Sequence, residues 1–233
     1  MSGRERLSRH KYLERRASNI IFRGLEEFVM SYPQSDEEVI ISSYRKAYRL
    51  IMEREADATW NKYVTPILGV RMKNISDINR TVWNRTISRF FTTYINPIAQ
   101  SVAKTTIKLL QSLGIGSDTP ENERKLILAK FLDSQKGRAI NLGRTATTHG
   151  MARGALMAMN SSNLPWQKSW VSMRDEETRN SHRAMNPREF IELDRNFVVG
   201  GQQMMFPADG SQGASLDNIV NCRCGLDFKI RRR

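Results

Sequence analysis

Trp83, Ile87, Phe90 and Tyr94 recur at intervals of four, three and four residues, which sets all four on one stripe of a 3.6-residue helix. Arg85 and Arg89 fall on the opposite side. A stripe this apolar has to be covered, so it reads as the inner face of a packed helix rather than as a platform for stacking bases. The same texture runs through residues 4–160, helix after helix. One helix is expected from Leu7 to Met30, stopping at Ser31-Tyr32-Pro33. Ser35 with Glu38 has the S-x-x-E spacing of a capping box, and the helix it opens should run past Val39, Ile40, Tyr44, Tyr48 and Ile51 towards Trp60. Thr65-Pro66 and Gly69 mark a break or kink, and Asn96-Pro97 should interrupt the aromatic-striped helix. An amphipathic run from Ile98 to Leu113 ends at Gly114, and Pro120 suits the first position of a new helix carrying Leu126, Ile127, Phe131 and Leu132. A separate helix is expected from Arg138 to Met159, since Gly137, Gly143, Gly150 and Gly154 weaken continuity.

The texture changes after Ser161-Ser162-Asn163-Leu164-Pro165. Lys168 to Met173 has the β-branched and aromatic content of a strand, a polar helix should follow from Asp175 to about Met185, and Gly200-Gly201, Pro207, Gly210 and Gly213 read as loop. From Cys222 to Ile230 apolar residues alternate as on a half-buried strand. The expected class is α+β: a predominantly helical region over 1–160, then a small mixed α+β domain over 161–233.

The 233 residues include 37 Lys and Arg against 24 Asp and Glu, a formal charge of +13. Such an excess favours an anionic partner, nucleic acid or an acidic protein face. The charge is unevenly spread: residues 35–165 hold 19 basic and 11 acidic side chains, and between Ala58 and Ser117 eight basic residues face Asp77 alone. Candidate contacts to an anionic partner are therefore Arg71, Lys73, Arg80, Arg85, Arg89, Lys104 and Lys108, with the tail Arg231, Arg232 and Arg233. No recognised DNA-binding motif is present, so contact with DNA would be non-specific. No stretch approaches the roughly 18 to 20 apolar residues of a bilayer helix, and Met1 to Arg16 lacks the apolar segment of a secretory signal. Two cysteines exclude a disulfide scaffold, and reduced thiols in a cytosol are expected.

The back of the chain carries chemistry-bearing residues: Trp170, Asp175-x-x-Thr178-Arg179-x-x-His182, and Asn221-Cys222-Arg223-Cys224. On a helix Asp175, Thr178 or Arg179, and His182 share one face, and on a strand Cys222 and Cys224 point the same way. That arrangement suits zinc held by His182, Cys222 and Cys224, with Asp175, His149 or water as the fourth ligand. The plainer alternative is a hydrogen-bonded structural network with Asp175 capping a helix. An enzymatic alternative is a metal-assisted hydrolase or nuclease using His182 and Asp175. No G-x-S-x-G, H-E-x-x-H, Walker or dinucleotide-binding fingerprint accompanies them, so no catalytic role is expected.

The order of these elements, with Pro207 in the Gly/Pro-containing spacer and Arg144-Thr145 some twenty-five residues before Trp170, resembles the phage Mu F-like head morphogenesis proteins, minor head proteins of tailed bacteriophages. The resemblance covers about residues 138–228; residues 1–137 match only in being helical. The chain departs from the family pattern at Ala146, where an acid is frequent, and at Asn186, where a glycine is frequent. The resemblance implies a minor capsid protein of the virion that associates with the portal protein and with major capsid or scaffold protein during virus assembly. It would act in the host cytoplasm and end in the capsid interior near the portal. In that reading Thr145, Trp170, Asp175, Thr178, Arg179, His182, Asn221, Cys222, Arg223 and Cys224 are a structural or binding signature.

Overall fold

A computed structural model describes residues 3–70, 80–116 and 118–231. Helix α1 (Gly3–Met30) buries Leu13, Ala17, Ile21, Leu25 and Phe28, one residue per turn on a single face. It packs against α2 (Glu37–Thr59) and α6 (Glu121–Ser161), and these three helices form the front of the molecule. Full burial of each such Leu, Ile or Phe contributes about 1.5–3 kcal/mol. Two ion pairs tie the group together: Arg9 with Glu55 at 3.1 Å and Arg144 with Glu14 at 3.0 Å.

Helix α2 is capped by Asp36 rather than by the expected Ser35. The Asp36 carboxylate accepts from the Glu38 N–H at 2.9 Å, while Ser35 donates to the Phe28 carbonyl at 2.7 Å and the Glu38 carboxylate pairs with Arg45. Asp36 wins because Ser35 is used to close the preceding helix end. Pro120 likewise stands at the N-cap of α6, one place before the expected first helical position.

The helix ends at Gly69 as expected, while the two X-Pro steps themselves are absorbed without breaking it. The π-helical turns Trp60–Val64 and Phe91–Ile95 end directly before Thr65-Pro66 and Asn96-Pro97. Proline has no N–H and its ring crowds the carbonyl four residues back, so one wider turn carrying an extra residue accommodates it. The first leads into the short α3 (Thr65–Leu68), which stops at Gly69 with φ 68°. The second joins α4 (Arg80–Phe90) to α5 (Asn96–Gln111) as one unbroken helical rod that lies against α2. The extra residue also shifts the apolar stripe. Trp83, Ile87 and Phe90 are buried as expected, but Tyr94 is 38% exposed and Ile95 takes its place in the core.

Helix α6 corrects the expectation of two helices, since it runs 41 residues without a break. Three of its four glycines, Gly143, Gly150 and Gly154, sit where α1 or α2 comes close. A Cβ on Gly143 would lie 2.8 Å from Ser18 Cα, one on Gly150 2.9 Å from the Ile51 side chain, and one on Gly154 2.4 Å from the Met52 carbonyl oxygen. The helix-propensity cost of these three glycines is offset by the close contacts they permit with α1 or α2.

Behind α6, β1 (Trp166–Val171) is the centre of a three-stranded antiparallel sheet in the order β2 (Ile191–Glu192), β1, β5 (Gly225–Ile230). Trp170 stands opposite Leu226 and Lys168 opposite Phe228. Strand β1 lies two residues earlier than expected. Strand β5 begins only at Gly225, although the inward and outward alternation starts at Cys222. The stretch taken as loop contains a hairpin, β3 (Phe197–Val199) and β4 (Gln202–Met204), turned by Gly200 and Gly201 at φ 57° and 77°, the positive values a two-residue hairpin turn requires. The expected helix from Asp175 to Met185 is a turn followed by a single helical turn, α7 (Asn180–Arg183); α8 (Leu216–Ile219) is equally short. One continuous apolar core runs from Leu13 in α1 to Phe228 in β5, which gives the described residues an α+β architecture, mostly helical with small antiparallel sheets at the back. Among the described residues no helix is long and apolar enough to cross a membrane.

Candidate functional site

Three segments far apart in sequence meet at the back of α6: the α6 turn bearing Thr145 and Thr148, the turn and α7 after β1, and residues 218–224 leading into β5. Asp175 does not start a helix because its polar groups bond locally. The Thr178 hydroxyl donates to its carboxylate at 2.8 Å, the Thr178 N–H to its carbonyl at 3.0 Å, and Arg183 to the same carbonyl at 2.8 Å. Arg223 reaches the Asp175 carboxylate at 3.0 Å, joining this turn to the last segment. Arg179 donates to the Val220 carbonyl. Asn221, at φ 58°, donates its N–H to Thr145 Oγ1 at 3.1 Å, and the Thr148 hydroxyl donates to the Cys222 carbonyl. His10 of α1 completes the join, its Nε2 2.9 Å from Thr148 Oγ1.

At the centre lie His182 on α7, Cys222 and Cys224, with 1%, 2% and 6% of their surface exposed. His182 Nδ1 is 3.6 Å from Cys222 Sγ and 3.4 Å from Cys224 Sγ. The Trp170 ring packs against the imidazole edge-on, 5.4 Å between centroids at 84°. Zinc ligands at about 2.3 Å for sulfur and about 2.05 Å for nitrogen, at a tetrahedral angle, stand about 3.6 Å from one another. The two N···S separations match that spacing, so these three atoms can hold one metal ion. Cys224 hydrogen-bonds the Cys222 sulfur, which draws the Cys222 thiol below its ordinary range against the opposing effect of burial. The same bond and burial push the Cys224 thiol up.

The other expected ligands are elsewhere. The Asp175 carboxylate is taken up by Thr178 and Arg223. His149 lies in an aromatic cluster, stacked on Phe206 at 5.2 Å and 18°, with Tyr48 OH 3.3 Å from its Nδ1. Burial lowers its pKa to about 4, with Asp209 opposing and Arg153 adding to the shift. Among the described residues His182, Cys222 and Cys224 are the group of metal-ligating side chains that come together. A cavity of about 10 Å3 adjoins them, walled also by Thr178, Glu177, Arg179 and Asn221. On the other side of Cys224 and Arg223 a larger hollow of about 450 Å3 opens towards α1 and α2, with Arg9, His10 and Glu55 in its wall.

All ten residues of the expected signature lie in or against this junction. Thr148 and His10 were not among them. Thr148 carried a signal, its spacing of three from Thr145 on one helix face, whereas nothing in the local sequence marks His10. Of the expected anionic-partner contacts, Arg85, Arg89, Lys104 and Lys108 are exposed on the rod formed by α4 and α5, and Arg231 is exposed but 3.6 Å from Glu192. Arg71, Lys73, Arg232, Arg233 and the side chain of Arg80 lie outside the described residues.

Compared with protein-family models, with curated proteins and with solved structures, the chain matches none.

Proposed function

We propose that the protein is a non-enzymatic minor head protein of a tailed bacteriophage, which binds the portal protein and the inner face of the capsid or scaffold during assembly and is enclosed in the virion. The observation that supports this reading is the convergence of the Mu F-like signature. Residues scattered between Thr145 and Cys224 are joined by direct contacts into one junction that fastens the small back domain to α6. A shared fold core would leave just such a pattern in sequence. The commitment of Asp175 to Thr178 and Arg223 favours a structural role for the junction over acid and base catalysis.

The metal that suits the His182, Cys222 and Cys224 donors best is zinc. Two thiolates and one imidazole are its preferred ligand types, and the two N···S separations fit a tetrahedral centre. In this reading zinc staples α7 to the segment before β5.

The rod supplies a surface for packaged DNA. Residues 80–116 hold five Lys and Arg and no Asp or Glu. With the extra residue of the π turn between them, Arg85, Arg89, Lys104 and Lys108 fall within a stripe of roughly 40°, and the two pairs stand about 22 Å apart along the axis.

Co-expression with the portal protein of the same phage tests the assembly role: the two should co-purify, and the chain should be found inside assembled heads. Heads that assemble normally without it, together with no association with portal, would refute the reading.

A further inference from the structure

The three ligands leave one position of a tetrahedral centre to fill, and this inference rests on the zinc reading of the site. We propose that the fourth ligand is a single water molecule held in place by the side-chain carbonyl of Asn221, so that the centre is a Cys2His site with an exchangeable position.

Three observations lead there. The two side chains that the sequence offers as alternative fourth ligands are engaged elsewhere: Asp175 by Thr178 and Arg223, His149 by Tyr48 and Phe206. The space beside the ligands, about 10 Å3, is at the lower limit of what one water needs and too small for a larger ligand. Asn221 walls that space, and its Oδ1 is buried without a hydrogen-bond partner. A buried acceptor left without a donor is destabilising. A metal-bound water uses a lone pair on the metal and turns both its protons outward, so it is a donor that satisfies this acceptor. Asn221 is also held in position. Its φ of 58° is one that asparagine tolerates better than most residues, and its N–H is anchored to Thr145 Oγ1. That placement explains why an asparagine immediately precedes Cys222.

The competitor for the fourth position is Glu177, which also walls the cavity from its exposed place on the turn.

Zinc affinity of the full chain, measured by competition with a chromophoric chelator, tests the assignment alongside X-ray absorption of the zinc-loaded protein. Asn221→Gly is the informative variant, because glycine keeps the positive φ without strain while deleting the acceptor. It should bind one zinc roughly 10-fold or more weakly, as loss of an outer-shell partner does. Asn221→Asp, which restores an acceptor, should recover affinity, and Glu177→Gln should bind like the parent. The absorption spectrum should give two sulfur and two light-atom neighbours. If Glu177→Gln loses affinity while Asn221→Gly does not, Glu177 is the fourth ligand and the water assignment is overturned while the zinc reading stands. Unchanged affinity in both variants also overturns it. If the parent chain binds no zinc at any accessible concentration, the zinc reading itself fails.

Discussion

Replacing Gly154 by alanine adds one methyl group where α6 crosses the backbone of α2. The new Cβ would fall 2.4 Å from the Met52 carbonyl oxygen and 2.9 Å from Met52 Cα, both backbone atoms in the middle of α2. Ordinary contact begins near 3.4 Å, so α2 and α6 must separate by about 1 Å along a seam that includes the fully buried Ile51 and Met52. Overpacking of this kind costs about 1–3 kcal/mol, and rigid backbone on both sides places it at the upper end. Alanine returns about 1 kcal/mol through its better helix propensity. The expected net loss is about 2 kcal/mol. Gly137 in the same helix is the control. An added Cβ there meets nothing within 4 Å, so Gly137→Ala should stabilise by the propensity term alone, about 1 kcal/mol. Equilibrium urea unfolding followed by far-UV circular dichroism reads both, and the two variants should differ by about 3 kcal/mol in opposite directions from the parent. A Gly154→Ala protein as stable as the parent would refute the reasoning, because it would mean that the helices are not held at backbone contact.

Burial keeps His149 neutral down to about pH 4, whereas in the unfolded chain it takes up a proton near pH 6.5. The unfolded state therefore gains protons first as pH falls, and up to about 3 kcal/mol of stability should be lost between pH 6.5 and 4. His149→Phe, placed among Phe206, Phe90 and Tyr48, should flatten the stability profile over that interval, as urea midpoints at a series of pH values will show. Lys168 has the same pH sense at the alkaline end. It is fully buried, donates to the Met205 carbonyl at 2.7 Å, and is lowered to about 8 by burial. Below pH 8 it is charged in both states and the fold bears the desolvation cost; from pH 8 to about 10.5 the fold sheds its proton first and stability should rise. Lys168→Met should abolish that rise in the same unfolding series. For the cationic rod, changing Arg85, Arg89, Lys104 and Lys108 together to alanine should weaken duplex DNA binding and reduce the slope of log affinity against log salt by about 3–4, since each phosphate contact contributes about 0.9. A fluorescence-anisotropy titration at several salt concentrations measures it, and an unchanged slope would remove the rod from the binding surface.

The helical front was legible because amphipathic repeats dominate it: the buried faces of α1, α2 and α4 follow the spacing of their apolar residues. What escaped are features set by tertiary contact. The glycines of α6 look like helix breakers when propensity is counted residue by residue, yet Gly143, Gly150 and Gly154 are spaced seven and four apart, on one face, as a close-packed seam demands. The π turn that puts Ile95 inward in place of Tyr94 leaves only an indirect trace, the X-Pro step after it. In the back domain, Gly200-Gly201 between two three-residue apolar-containing runs was a hairpin signal too short to outweigh its loop-like surroundings. The metal-ligating trio was legible as residue types at a suggestive distance in sequence. Its geometry was not, because the helix expected to carry Asp175 and His182 gives way to a turn in which Asp175 and Thr178 bond to each other.

The glycine seam and the metal-ligating trio hold different parts of one continuous core, and they can be separated by experiment. The seam fastens α6 to α1 and α2 through backbone contact, with no contribution from the back domain. The trio joins α7 to residues 222–224, and this segment is hydrogen-bonded to α6 at Asn221 and Cys222, through the Thr145 and Thr148 hydroxyls. Chelation of zinc from the loaded protein should therefore release protection in 175–183 and 216–224 first. The amides of α1 and α2 should keep theirs, because local opening costs only the contacts of the segment that opens. Gly154→Ala should do the reverse, raising exchange in α2 and the middle of α6 while the metal-bound segment stays closed. Hydrogen exchange resolved by peptide mass spectrometry distinguishes the two patterns directly. If chelation loosened the helical front to the same degree as the back, the junction would be a keystone of the entire fold rather than a clasp on its smaller part.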